Sequence, residues 1–237
     1  MEIHLSFLDF DYVILSNNNF DERSVKDSVD FLFSLGIRKF IFTLAYDPEL
    51  HTGAWILGRL NHIKSSFRSL RPYGCQFHLY LDIVYSKELS YTPSAFKRWS
   101  IPHTSCVFVR LPLFCEPDQM NAELNHLYFR QKCIPIFTAF EANIHTCSSE
   151  WIQQLMRSRN FYCAMDLNFI TSLDAEPLIR NAIRNGCRIL PSITHSIENY
   201  PSILKRMDGF RLGIGDSNYT KFTRSVHILG HQLFPRR

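Results

Sequence analysis

Phe161-Tyr162-Cys163-Ala164-Met165-Asp166-Leu167 is an almost unbroken apolar run, and a helical pattern over Leu173–Asn185 follows it and stops at Gly186. Arg188-Ile189-Leu190-Pro191-Ser192-Ile193 then returns to strand-like composition. Two apolar runs of strand length flanking one amphipathic helix predict a βαβ unit. Near-continuous apolarity in both strands predicts parallel strands covered on both faces.

The same rhythm extends in both directions. Further strands are predicted at Phe10–Leu15, Lys39–Thr43, Phe77–Val84, Cys106–Leu111, Ile134–Ala139 and Phe210–Ile214. Between them, Asp21 is placed to cap a helix whose face is Val25, Val29, Leu32, Phe33 and Leu35, with Gly36 as its stop. Ala54–Leu70 repeats the pattern, Ser148-Ser149-Glu150 opens a helix over Trp151–Arg159, and a last helix is predicted from Tyr219 to Leu233. Seven or eight such units in 237 residues, with a period of roughly thirty, predict an α/β fold: one TIM-like barrel over residues 1–237. A doubly wound open sheet is the alternative, but no Gly-x-Gly-x-x-Gly fingerprint supports it.

Composition agrees with a packed domain. Hydrophobic residues make up 46% and charged residues 20%, which excludes a largely disordered chain. No apolar run has the roughly 18 residues of a membrane span, and no signal-peptide pattern opens the chain. Seven cysteines at wide spacing, without a Cys-x-x-Cys pair, point to free thiols in a reducing cytoplasm. The net charge of +4 is spread over amphipathic segments, without the clustered basic stripe of a nucleic-acid binder.

In a barrel, chemistry belongs where strands end and βα loops begin. Those positions hold Asp9, Asp11, Thr43, Asp82, Arg110, Glu141, Asp166, Asn168, His195 and Asp216. The set is polar but poor in histidine, although the chain has ten. At these positions the sequence resembles the PHP-domain, metal-dependent protein-tyrosine phosphatases of capsule and exopolysaccharide operons. Asp9-Phe10-Asp11-Tyr12-Val13-Ile14-Leu15 stands where that family has Asp-x-His-x-His-Ile-Leu, and Phe42-Thr43-Leu44-Ala45 where it has Thr-Pro-His. Ser28-Val29-Asp30 through Lys39 matches its first helix and the strand after it, and Leu81-Asp82-Ile83 a segment supplying a bridging carboxylate. Ile134 to Glu141 resembles the strand ending in His-Pro-Glu-Arg. Leu167-Asn168 through Ser172, and Pro191-Ser192-Ile193-Thr194-His195, resemble the last two motifs.

The departures set the functional expectation. The resemblance implies a PHP-type barrel and a three-metal cluster, yet the first motif's histidines become Asp11 and Val13. The third becomes Ala45, the fourth Ala139, and the aspartate of the last motif Ile193. Ala142 replaces the phosphate-holding arginine. Alanine, valine and isoleucine offer no lone pair, so a metal-activated hydroxide is not expected. The expectation is a pseudophosphatase with no cofactor, or at most a single Mn or Fe ion on Asp11, Asp82 and His195, with Asp9, Thr43, Arg110, Glu141 and Asn168 lining the site. Its expected partner is a phosphotyrosine-bearing or otherwise anionic protein segment, in the regulation of surface-polysaccharide synthesis; the oligomeric state is open. An active one-metal phosphoesterase on the same three residues is the enzyme alternative. A metal-free PHP-like subunit of an RNA-processing particle is the third.

Other patterns read as structure. His227 and His231 share a helix face without a supporting carboxylate and are expected at the surface. Cys163 and Cys187 are expected in the core, and Ser192 with His195 lacks the Gly-x-Ser-x-Gly elbow of a triad. Arg110, Arg206 and Arg211 are candidates for an anion pocket, since guanidinium groups fork onto oxyanions. Asn17-Asn18-Asn19 reads as a loop over the mouth.

Overall fold

A computed structural model describes residues 10, 12–16, 22–69, 74–86, 96–111, 122, 125–144, 161–193 and 203–234. Seven parallel strands follow one another in chain order and close on themselves. They are β1 (Tyr12–Ser16), β2 (Lys39–Tyr46), β3 (Gln76–Val84), β4 (Cys106–Arg110), β5 (Ile134–Thr138), β6 (Tyr162–Asp166) and β7 (Arg188–Ile193). The closing seam pairs Ile14 with Ser192 and Leu15 with Ile193. Helices α1 (Glu22–Ser34) and α2 (Gly53–Ser69) follow the first two strands, and the short α3 (Phe140–Ile144) follows β5. Helices α4 (Leu167–Ile170) and α5 (Glu176–Arg184) join β6 to β7, and α6 (Ile203–Ile214) and α7 (Asp216–Leu233) follow β7. A 3-10 turn covers Phe96–Trp99.

The predicted barrel is therefore present, with one correction. Phe210–Ile214, expected as a strand, is the last part of α6. Its apolar residues alternate with period two, but Leu212 is 83% exposed, whereas Ile203, Met207, Phe210 and Ile214 are buried at helical spacing. The expected helix at Trp151–Arg159 and the Asn17–Asn19 loop lie outside the described residues.

Two helix ends show how sequence sets the local turn. After α1, the Gly36 N–H donates to Phe33 O and the Ile37 N–H to Leu32 O; after α5, Gly186 donates to Ile183 O and Cys187 to Ala182 O. Both glycines have φ near +90° (93° and 89°), the left-handed conformation that this six-to-one closure needs. Each turn leads straight into a strand, so Gly36-Ile37-Arg38-Lys39 and Gly186-Cys187-Arg188 are the same device used twice.

Strand alternation divides the side chains. On the outer face, Phe40, Phe42 and Phe77 pack with Phe67 of α2 at ring separations of 4.2–5.8 Å. Such pairs add about 0.5–1.5 kcal/mol each beyond their burial. At the amino-terminal floor, Phe234, just past α7, meets His78 edge-on at 4.5 Å and Tyr12 at 6.2 Å, under the Lys39 ammonium. Arg188 donates to the Tyr162 hydroxyl at 3.2 Å in the same layer. Among the described residues, no helix is long and apolar enough to cross a membrane.

Candidate functional site

The carboxyl mouth is built around Asp82, which is fully buried near the end of β3. Arg110 on β4 donates to its Oδ2 from Nε at 3.0 Å and from Nη2 at 2.8 Å. Thr138 on β5 places its hydroxyl 2.7 Å from each carboxylate oxygen. Burial pushes the Asp82 carboxyl up from its ordinary value, against the pull of Arg110 and Thr138. These contacts fix which face is interior. Register then puts Ala45, opposite Asp82, on that face too, together with Asp166 of β6 and Ser192 of β7.

Beside this cluster, the Glu141 carboxylate accepts the Asp166 N–H at 3.2 Å through Oε2. Burial is the main reason that the Glu141 carboxyl is raised, to about 7. The Asp166 side chain accepts the Asn168 N–H at 2.8 Å and caps α4. Among the described residues, three buried polar atoms in this half of the barrel have no hydrogen-bond partner: Thr43 Oγ1, Asn168 Oδ1 and Ser192 Oγ.

The expected site residues are thus brought together in part. Asp82, Arg110, Glu141 and Asn168 sit at the mouth with Thr138, which the sequence reading did not single out. Thr43 is one layer deeper on β2, paired with Tyr80. Asp9, Asp11 and His195 lie outside the described residues. Of the positions where the resemblance implies ligands, Ala45 presents a methyl group to Asp82. Ala139 bends the chain out of β5 with φ of 48°. Val13 and Ile193 are buried, in register with Phe40 and Leu15, on the outer strand face, where they fill core. Arg211 is on the outer helix α6, bonded to Asp216 at 2.9 Å, and does not join Arg110. His227 and His231 are exposed on α7, and Cys163 and Cys187 are buried.

The rim adds an aromatic tier. Tyr46 ends β2, His51 in the following loop stacks on Trp55 at 3.9 Å with 7° between planes, and Trp99 meets Tyr46 edge-on at 5.9 Å. The Asp47 N–H donates to His51 Nδ1, fixing that ring, while Trp55 is 41% exposed. A spacing signal could have found the inner cluster: Asp82, Arg110, Thr138 and Asp166 recur every 28 residues, the step from one strand to the next.

No family model matches the sequence, and no curated protein does. Solved structures do. One is that of the metal-dependent tyrosine phosphatases YwqE from Bacillus subtilis and CpsB from Streptococcus pneumoniae. It is 12% identical with a TM-score of 0.67, over 93% of this chain and 91% of that one. Another is phospho-2-dehydro-3-deoxyheptonate aldolase from Thermotoga maritima, 13% identical with a TM-score of 0.50, over 86% and 71%. These likenesses show the fold, an α/β barrel of the kind those phosphatases have. Among the described residues no three His, Cys, Asp or Glu side chains form a group that could hold a metal ion, Ala45 and Ala139 carry no donor, and Asp82 is engaged by Arg110 and Thr138.

Proposed function

We propose that this PHP-like barrel is a pseudophosphatase. It holds an anionic protein segment, of which a phosphotyrosine side chain is the favoured form, at its carboxyl mouth without hydrolysing it. The observation that carries this reading is the engagement of Asp82. A bridging carboxylate serves a metal cluster through oxygens open to the metal, and here a guanidinium fork occupies Oδ2 while a hydroxyl lies against both oxygens. Arg110 supplies the positive charge that a metal would otherwise bring. The exposed indole of Trp55, held by His51 beside the mouth, gives an aromatic ring a surface to stack on. A place in the control of surface-polysaccharide synthesis follows from the resemblance alone.

The test is elemental analysis of protein purified without chelator, followed by phosphatase assays with added Mn and by anisotropy of a labelled phosphotyrosyl peptide. The expected result is peptide binding that weakens in Trp55→Ala, without turnover. Mn-dependent turnover that disappears in Asp82→Ala would overturn the reading and favour the one-metal phosphoesterase.

A further inference from the structure

Helix α7 carries a pair of side chains that nothing at the mouth uses. Phe222, Val226, Leu229 and Leu233 are buried and turn one face of the helix to the barrel. His227 and His231 stand on the opposite face, and both are exposed. Residues four apart on a helix are neighbours, with about 5–6 Å between their Cβ atoms. Of the ten histidines in the chain, these are the only two spaced three or four residues apart.

The pair is also uncommitted. His51 Nδ1 takes the Asp47 N–H, His78 Nδ1 lies 3.1 Å from the Tyr80 hydroxyl, and His62 and His126 have partners of their own. Among the described residues, neither His227 nor His231 has a hydrogen bond, an ion pair or a ring contact. His231 lies in the last turn of α7, where the carbonyl ends of the helix dipole favour a cation. Arg224, exposed one turn before His227, is the charge that opposes one.

A neutral imidazole offers one nitrogen lone pair, and two of them on adjacent turns can close on a single ion at about 2.0–2.1 Å from each nitrogen. Imidazole suits zinc, copper and nickel; magnesium, calcium and manganese favour oxygen. Among the described residues no third His, Cys, Asp or Glu joins the pair, so water completes the shell.

The structure assigns to His227 and His231 a two-point site for an imidazole-preferring divalent ion such as Zn(II), on the outside of α7. The ion ties the last two turns of the helix together. Phe234, the ring that seals the amino-terminal floor, follows directly after them. Bound metal therefore clamps the helix end that holds this floor, at the far end of the barrel from Asp82 and Arg110. The pairing exists only while α7 is helical, so the ion binds the folded chain in preference to the unfolded one and stabilises it.

The experiment is calorimetric titration of the chelator-treated, dialysed whole chain with Zn(II), together with thermal melts. One Zn(II) binds per chain at this site and raises the melting temperature. His227→Ala and His231→Ala each weaken binding by about tenfold or more and abolish the rise in melting temperature, while His103→Ala, an exposed histidine elsewhere, changes neither. The double variant His231→Gln/Gln232→His keeps two exposed imidazoles but sets them about 140° apart around the helix, and it binds as weakly as the single variants. All these positions are exposed, and circular dichroism checks that each variant is folded. The proposal is overturned if the folded chain takes up no Zn(II) at sub-millimolar concentration, or if uptake survives both alanine substitutions. It is overturned too if the displaced pair binds as well as the original, or if Zn(II) binds without raising the melting temperature. Neither phosphatase turnover nor peptide binding is read, so the result is independent of the proposed function.

Discussion

The guanidinium of Arg110 and the carboxylate of Asp82 form a two-point ion pair inside the barrel, at 2.8 and 3.0 Å, on adjacent strands. Taking both charges out of water is expensive, and the fork geometry with the added Thr138 hydroxyl offsets that expense. The pair is therefore worth little as a net gain, while either partner alone is a serious liability.

Arg110→Met is expected to lower stability by about 3–5 kcal/mol, because it strands a buried carboxylate. The double variant Asp82→Leu/Arg110→Met should recover most of that loss, since apolar replacement of a whole buried pair is often neutral or better. Urea unfolding of the two singles and the double closes the cycle. A double variant as unstable as the sum of the singles would contradict this account.

Glu141 gives a pH signature. Its folded-state pKa, about 7, lies above the ordinary carboxyl value of 4.5, so the folded protein holds this proton more tightly than the unfolded chain does. The corresponding stability is fully present below pH 4.5 and is lost as pH rises to about 7. The loss is at most about 3 kcal/mol. Glu141→Gln should remove this slope and leave the protein more stable than wild type at pH 8. Thermal melts of both proteins from pH 4 to 8, in metal-free buffer, measure the difference.

Phe234 seals the floor against Tyr12, His78 and Lys39 and is 4% exposed. Phe234→Ala should cost about 3 kcal/mol or more, the usual range for a large core ring. Phe234→Leu should cost less. Equal melting temperatures for wild type and the alanine variant would show that the ring is not part of the core.

Ala139 holds φ of 48° where β5 turns into α3. A left-handed conformation costs a residue with a Cβ about 1–2 kcal/mol and glycine almost nothing, while glycine adds freedom to the unfolded chain. Ala139→Gly is expected to be neutral or stabilising by up to about 1 kcal/mol, and Ala139→Val clearly destabilising. Chemical denaturation ranks the three.

The barrel was legible because burial on both faces writes itself as apolar runs, and the two Gly-terminated turns before β2 and β7 mark strand starts. Phe210–Ile214 misled because five residues fit period two and period 3.6 alike; only Ile203 and Met207, a turn or two earlier, decide for a helix. Asp82 and Arg110 could be picked out as polar residues at strand ends. Their union could not, because it depends on the stagger between β3, β4 and β5, which no local pattern encodes. Thr138 was passed over for the same reason: a threonine ending a strand is ordinary until a carboxylate faces it. The orphaned Ser192 hydroxyl was invisible as well, since the absence of a partner is a property of the packed interior.

The seam between β1 and β7 has a consequence for how the chain is made. Ile14 meets Ser192 and Leu15 meets Ile193, so the first described strand finds its second neighbour only after the six others have been synthesised. Until then β1 and the growing sheet each show an unpaired edge, the condition under which nascent chains stick to one another. Barrel closure is a contact of long sequence separation and should be a late, slow event at the ribosome. The protein is then expected to depend on chaperones during synthesis more than its finished stability suggests.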